Sequence, residues 1–347
     1  MFKENIMNPV ISAIGTAVPQ YAYTQEQVFS SLKLRGLFKK MFTGAGIKLR
    51  RFSIPLEKVL KSSVQELYEN YQQEAIKLSK EAINNCLAQA KIEASAIDCI
   101  VSVSCTGYTC PGLSHFIARE VGLRPDIVHN SFVGMGCGAA APALRRAHDF
   151  LCLNRGKALI VCVEICSATY HPEHSLGMAI GDAIFADGAA AALVSSDGDG
   201  LALVEFLSVS ATDHIDKLGY TWDDARLKLV LSPDLPELIG PLLVEVTDEL
   251  LKRHDLKKSS ISTWAIHAGG VSILNKAKEV LGIGEEDIKY SRLTWSEYGN
   301  LSSPTILFTL KELVGKSAMK PGDKVIMLTM GAGLEVDGIL LEWEGGG

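Results

Sequence analysis

Short apolar runs alternate with longer stretches of helical period along this chain, the pattern of strands buried between helices. In the first half, IDCIVSVS, ALIVCVE and AAAALVS predict strands over Ile97–Ser104, Ala158–Glu164 and Ala189–Ser195. Helices are predicted over Ser63–Gln89, over Leu113–Val121 and in the segment that follows Cys137. In the second half, TWAIH, KVIMLTM and DGILLEW predict strands over Thr263–His267, Lys324–Met330 and Asp337–Trp343, with helices over Val271–Leu281 and Ser303–Val314. Near the N-terminus, Thr24-Gln-Glu-Gln27 is a capping box that opens a helix predicted to run on through VFSSLKLRGLFKK.

The two halves echo each other. In each, an apolar strand ends in a small-residue turn, CTG in the first and HAGG in the second, and a helix follows. A second apolar strand comes later, then a final strand entered through Asp-Gly, at Asp187-Gly188 and Asp337-Gly338. An α/β fold built by internal duplication is predicted, with an N-terminal half over 1–197 and a C-terminal half over 198–347. The acid-rich SSDGDG near 195–200 is the expected junction, and the halves are expected to pack as one body.

Composition narrows the class. The 347 residues are 47% hydrophobic and 21% charged, which supports a sizeable core. A net charge of -6 argues against a nucleic-acid binder. No run reaches the length of a membrane span, and MFKENIMNPVISAIGTAVPQ lacks the apolar core and cleavage site of a signal peptide. A cytoplasmic protein with its eight cysteines reduced is expected. Cys162 and Cys166 in VCVEIC, and His171 and His174 in YHPEH, are weak metal candidates; neither has the paired spacing of a zinc module, and no metal is predicted. Lys33, Arg35, Lys39, Lys40, Lys48, Arg50 and Arg51 make one end locally basic. That end reads equally as a solvated helix face or as a landing site for an anionic ligand, such as a nucleotide diphosphate or an acidic carrier protein.

The candidate chemistry centres on NSFVGMGCGAAAPAL, where Cys137 stands between two glycines. A cysteine nucleophile needs thiolate character, access and a partner. A helix starting just after Cys137 lowers a thiol pKa, but Pro142 clashes with the carbonyl four residues back. The regular helix is therefore expected to start near Ala141 or to kink there. His267, at the end of TWAIH and before small residues, fits the partner's place at a strand end. Asn300 lies in the polar turn SEYGNLSSP, where it also reads as a helix cap. The order Cys, His, Asn, with gaps of 130 residues (267 minus 137) and 33 (300 minus 267), is shared by papain-like proteases, so order alone leaves the reaction open.

Beyond these residues, the chain resembles the type III polyketide synthases, the chalcone and stilbene synthase family of the thiolase fold. The resemblance runs from IGTAVPQ to GAGLEVDGILLEW and is carried by GCGAA, VCVEICSATY, AIFADGAAAALV, WAIHAGGVSIL and SEYGNLSSPTILF. It implies a thiolase-like, five-layered αβαβα body of two βαβαβ-type halves, a homodimer, and CoA thioesters as substrates with no metal or redox cofactor. It also implies Cys137 as the acyl-accepting nucleophile, with His267 and Asn300 completing a triad. A malonyl thioester would lose carbon dioxide, and His267 and Asn300 would donate hydrogen bonds to the resulting enolate, each worth about 2.7–4 kcal/mol.

By the same resemblance Phe185 is a gate, and Thr106, Thr169, Gly181 and Ser302 match cavity-lining positions. Several positions depart from the plant pattern. Leu229 stands at a second gate that is often phenylalanine, Cys110 where a methionine reaches toward the partner subunit, and Tyr220 where plant enzymes have glycine. TMGAG at Thr329–Gly333 replaces GFGPG. Of the positions that hold the CoA phosphates Lys40 matches one, Leu37 and Gly44 replace others, and Arg35, Lys39 and Lys48 are further candidates.

The expected activity is elongation of an acyl-CoA starter with malonyl-CoA, ending in a pyrone or aromatic ring. One alternative is a single condensation using CoA- or acyl-carrier-protein-bound groups. A cysteine hydrolase explains the triad but not the duplication or DGAAAALV. A non-catalytic partner protein sits poorly with an intact triad.

Overall fold

Nine strands join in one mixed sheet, and their order is repeated outward from its middle. In a computed structural model of the chain, which describes residues 8–32, 34, 36–171, 175–223 and 225–345, the strands are β1 (Val10–Ala17), β2 (Tyr21–Tyr23), β3 (Arg50–Phe52), β4 (Cys99–Ser104), β5 (Val128–Val133), β6 (Lys157–Glu164), β7 (Gly188–Ser195), β8 (Gly200–Ser210), β9 (Leu218–Asp223), β10 (Arg226–Leu231), β11 (Thr263–Ile266), β12 (Lys324–Gly331) and β13 (Glu335–Glu344). The sheet runs β11-β12-β13-β8-β1-β7-β6-β4-β5. From β1 outward, β7, β6 and β4 pair antiparallel, antiparallel and parallel. From β8 outward, β13, β12 and β11 do the same. The two runs meet where Val10 and Ile11 of β1 pair antiparallel with Ala202 and Leu201 of β8. This is the topology of a duplicated unit, with β5 as an extra edge strand.

Three cores make five layers. The helices Val64–Ala90 and Leu113–Val121 cover one outer face of the first run. The helices Leu235–Arg253 and Val271–Leu281 cover the outer face of the second. Between the runs lie Ala140–Asn154 and Thr305–Lys316, buried in a cluster drawing on strands of both. The alanines of β7 fit this plan: Ala189 and Ala191 face the outer core, Ala190 and Ala192 the central one, so the strand has no polar side. Burying each larger aliphatic side chain in such a core contributes about 1.5–3 kcal/mol.

The predicted elements lie within a few residues of the observed ones, with three differences. The helix opened by Thr24 does not run on: it covers Gln25–Ser31, followed by a turn at Gly36–Phe38 and a short helix Lys39–Thr43. Leu32 and Leu34 lie on opposite sides of a continuous helix, yet both are buried in one cluster with Phe38 and Phe42, so the chain must break between them. Asp337-Gly338 does not open its strand but lies inside β13. The helix Leu235–Arg253 was not among the predicted elements; it carries Pro236 in its first turn and Pro241 inside it, residues that mask a helical pattern. SSDGDG forms the turn between β7 and β8.

Candidate active site

Cys137 lies in a tight turn, Gly136–Gly138, that links β5 to the helix Ala140–Asn154. That helix starts at Ala140, next to the expected Ala141. Pro142 therefore sits in the first turn, where a backbone N–H has no intrahelical acceptor to lose. The Gly138 carbonyl, which Pro142 cannot reach with a hydrogen bond, accepts one from Thr329 Oγ1 at 3.2 Å. Backbone pressed against backbone completes the clamp. A Cβ on Gly331 would lie 2.5 Å from the Met135 carbonyl oxygen and 2.8 Å from Gly138 N, so only glycine fits there. The Cys137 turn is thus pinned to the end of β12.

Asn300 is held from the other half. Its N–H donates to Ile184 O and its carbonyl accepts from Ala186 N, both at 2.9 Å, a short bridge beside Phe185. Its side-chain oxygen accepts from Ser302 N at 2.8 Å and from Thr305 Oγ1 at 3.3 Å. Those two donors fix which way the amide points, leaving Nδ2 facing Cys137 Sγ at 4.0 Å. Ser302, with a left-handed φ of 59°, is the thiol's hydrogen-bond acceptor at 3.4 Å.

His267 follows β11 directly and is 1% exposed; neither ring nitrogen has a protein partner. Burial alone pushes the imidazole down to about 3. Burial likewise pushes the Cys137 thiol up to about 11, against the lowering effect of Ser302 and Asn300. Burial of both groups therefore works against the thiolate character a cysteine nucleophile needs. Each group alone resists charging where it is buried, and both line the smaller cavity.

Cys137 and Phe185 are shared by two cavities. A smaller one, about 270 Å³, also touches His267, Asn300, Met41 and Ala45. A larger one, about 600 Å³, is lined by Thr106, Ser302, Tyr220 and Leu229 among others. Phe185, 8% exposed, thus stands between them. Leu229 packs on Cys137, Cys166 and Phe185.

Matches to the chalcone and stilbene synthase models cover residues 4–198 with the N-terminal domain and 205–343 with the C-terminal domain. The chain belongs to the chalcone and stilbene synthase family. It is 31% identical to a 3,5-dihydroxyphenylacetyl-CoA synthase of Amycolatopsis balhimycina, over 96% of this chain and 92% of that one. It is 28% identical to a 1,3,6,8-tetrahydroxynaphthalene synthase of Streptomyces peucetius subsp. caesius, over 96% of this chain and 93% of that one. The crystal structure of the tetrahydroxynaphthalene synthase of Streptomyces coelicolor A3(2), a bacterial type III polyketide synthase, superposes with a TM-score of 0.92 at 26% identity, covering 98% of this chain and all of that one.

Other family positions divide by place. Thr169 and Gly181 stand one layer back from the larger cavity. Thr169 Oγ1 donates to the Cys166 carbonyl at 2.9 Å, and a Cβ on Gly181 would meet Leu229 Cδ2 at 2.2 Å. Cys110 is exposed and lines neither cavity. Lys39 and Lys40 are exposed on the short helix that sends Met41 into the smaller cavity. Lys48 pairs with Glu297 at 2.6 Å. Arg35 and His174 lie outside the described residues. His171 lies 3.7 Å from Asp223. Cys162 packs in the central core and Cys166 beside Cys137, so the two thiols fall in different clusters. Among the described residues no group of three His, Cys, Asp or Glu is placed to hold a metal, and no helix is long and apolar enough to cross a membrane.

Two residues of the site escaped sequence reasoning. Glu164, fully buried, accepts from Cys105 N at 2.9 Å, Thr106 Oγ1 at 2.8 Å and Ser303 Oγ at 2.6 Å, tying the turn after β4 to the Asn300 loop. Burial raises its pKa. A lone glutamate ending the apolar run ALIVCVE was the available signal. Arg50, also fully buried, donates to the carbonyls of Asp182 and Phe185 at 2.7 and 2.8 Å and so braces the gate; in the sequence it is one more basic residue in a basic stretch.

Proposed function

We propose that this enzyme loads an acyl group from a CoA thioester onto Cys137 and extends it with malonyl-CoA by decarboxylative Claisen condensation, through several rounds ending in a pyrone or aromatic ring. The observation that carries this reading is the position of Cys137 where the two cavities meet, with His267 and Asn300 on the smaller side. His267 takes the thiol proton as the sulfur attacks the starter thioester; the C–S bond to Cys137 forms and CoA leaves as the thiol. The malonyl thioester then loses carbon dioxide. The unpartnered imidazole nitrogen and Asn300 Nδ2 donate to the enolate oxygen, a stabilisation of about 2.7–4 kcal/mol per donor. The enolate carbon attacks the acyl carbonyl, a C–C bond forms, and Cys137 leaves as thiolate. The larger cavity, about 600 Å³, lies within the range of pockets that enclose a whole drug-sized molecule, which favours repeated extension over a single condensation.

CoA as donor is supported by Lys39 and Lys40 at the smaller cavity's end of the molecule, and by the CoA thioester named in the Amycolatopsis relative; an acyl carrier protein is the alternative donor. We further infer a division at 197/198, a cytoplasmic location where the free thiols stay reduced, and a homodimer. The dimer is supported by the unpaired outer edge of β5, with Val133 and Tyr108 exposed. Light scattering at twice the 37.4 kDa of one chain tests it. Labelled malonyl-CoA with a panel of acyl-CoAs, read by mass spectrometry, tests the activity. Extended products and labelled carbon dioxide are expected; neither, with any starter or carrier, refutes it, and a single-extension product supports the alternative.

A further inference from the structure

The larger cavity carries one feature the condensation chemistry does not use. Among its described lining residues, Arg226 is the one charged side chain; Tyr68, Tyr71, Tyr220 and Trp222 supply much of the rest. Arg226 Nη2 donates to the Ser62 carbonyl at 2.5 Å. Its Nη1 is buried and has no hydrogen-bond partner. Among the described residues no carboxylate pairs with it: Asp223, its cross-strand neighbour, lies 3.3 Å from Lys228 instead. An arginine held in an aromatic cavity with a free arm of its fork is costly unless an anion completes it, and the planar fork is suited to a carboxylate.

We propose that Arg226 reads a carboxylate at the end of the acyl group remote from the thioester, so that the preferred starters are ω-carboxyacyl groups. This rests on the reading of Cys137 as the acyl acceptor. The acyl carbonyl is fixed at Cys137, the chain lies along the apolar wall past Phe185 and Leu229, and the far carboxylate meets the guanidinium. Chain length then sets the fit, because a short diacid fails to reach and a long one must fold.

The test pairs glutaryl-, adipyl- and suberyl-CoA with pentanoyl-, hexanoyl- and octanoyl-CoA, and follows acylation of Cys137 on the full-length protein by intact mass, without malonyl-CoA. At one length the diacid is expected to load about tenfold or more faster than its neutral partner. Arg226→Gln should abolish that preference while leaving neutral starters unchanged, which also shows that the variant folds; Arg226→Lys should keep part of it. No preference at any length, or a preference that survives in Arg226→Gln, overturns the proposal while Cys137 still loads. If no starter of either kind loads Cys137, the acyl-transfer reading itself fails, and this one with it.

Discussion

Replacing His267 with glutamine isolates the proton balance of the nucleophile. Burial pushes the Cys137 thiol up to about 11 and the imidazole down to about 3. Between those limits the pair holds one proton. Passing it from sulfur to ring leaves the pair's net charge unchanged, so solution pH does not enter that equilibrium. The separate values put the ion pair about eight pKa steps uphill (11 minus 3), so it governs reactivity only where attraction between thiolate and imidazolium offsets that gap; where it does, alkylation of Cys137 by iodoacetamide is nearly flat from about pH 6 to about pH 9. Glutamine cannot take the proton, and ionisation must then release it to water against a value of about 11. At pH 8 that leaves a thiolate fraction of about 10⁻³, three pKa steps or about 4 kcal/mol. The Gln variant should react up to about 10³-fold more slowly at pH 8 and gain about a decade per pH unit up to pH 10. Peptide mapping by mass spectrometry after timed alkylation reads each cysteine separately. The exposed Cys110 and Cys152 serve as internal controls, and at neutral pH Cys137 should be the fastest of the eight thiols. A wild-type profile that climbs a decade per unit, matching the variant, would refute proton transfer to His267.

Three further outcomes follow from the geometry. Thr329→Val removes the donor to the Gly138 carbonyl and should cost about 1–3 kcal/mol by denaturant unfolding; in a Pro142→Ala background, whose new N–H can reach that carbonyl, the cost should shrink, and equal costs in both backgrounds would contradict the clamp. Gly181→Ala drives a Cβ to 2.2 Å from Leu229 Cδ2, which should lower the melting temperature by the equivalent of about 1–3 kcal/mol and shift product length; unchanged products would mean that Leu229 does not shape the passage. Burial raises Asp182 to about 8 and Asp337 to about 7, from an unfolded value near 3.9. Such groups favour the protonated native state, so their contribution is whole below about pH 4 and is lost as pH rises through the folded values. His267 opposes this only below its unfolded value near 6.5, so the melting temperature should fall between about pH 6.5 and about pH 8. A rise across that window would count against the assignment, and Asp182→Asn should flatten the fall.

Two strands buried on both faces were legible because their sequence is nearly continuous apolar residue: ALIVCVE and KVIMLTM mark β6 and β12 to within a residue. Helices with a clean cap were legible too, since Ser63 and Glu66 form the reciprocal bonds that their spacing promises. Edge and half-buried strands were not. In β5, VHNSFV, exposed and partly buried residues mix without regular alternation, and in β10 every residue is partly buried, so neither carries a strong period. The hairpin that β10 forms with β9 supplies Tyr220, Arg226 and Leu229 to the larger cavity. The least legible element is therefore the one that shapes the larger cavity, while the proposed triad residues sit at ends of the most legible ones.

The repeat explains why residues so far apart in sequence converge. β4 and β11 occupy equivalent places in the two runs, and the turns after them bring in Cys105 and His267. The two central helices are likewise equivalent, and the segments before them bring in Cys137 and Asn300 with Ser302. Both thiols reach the same hydroxyl: Cys137 Sγ lies 3.4 Å and Cys105 Sγ 3.6 Å from Ser302 Oγ. What separates the halves is how each uses its strand end. In the first, Glu164 accepts from Cys105 N and Thr106 N at 2.9 and 3.1 Å, and from the Cys105 thiol at 3.4 Å, so that turn is tied into the scaffold. In the second, His267 is left with both ring nitrogens unpartnered in a buried site. A buried polar group without a partner costs stability, and the duplicated scaffold bears that cost at one of its two equivalent positions, the one where the proposed mechanism needs a free imidazole.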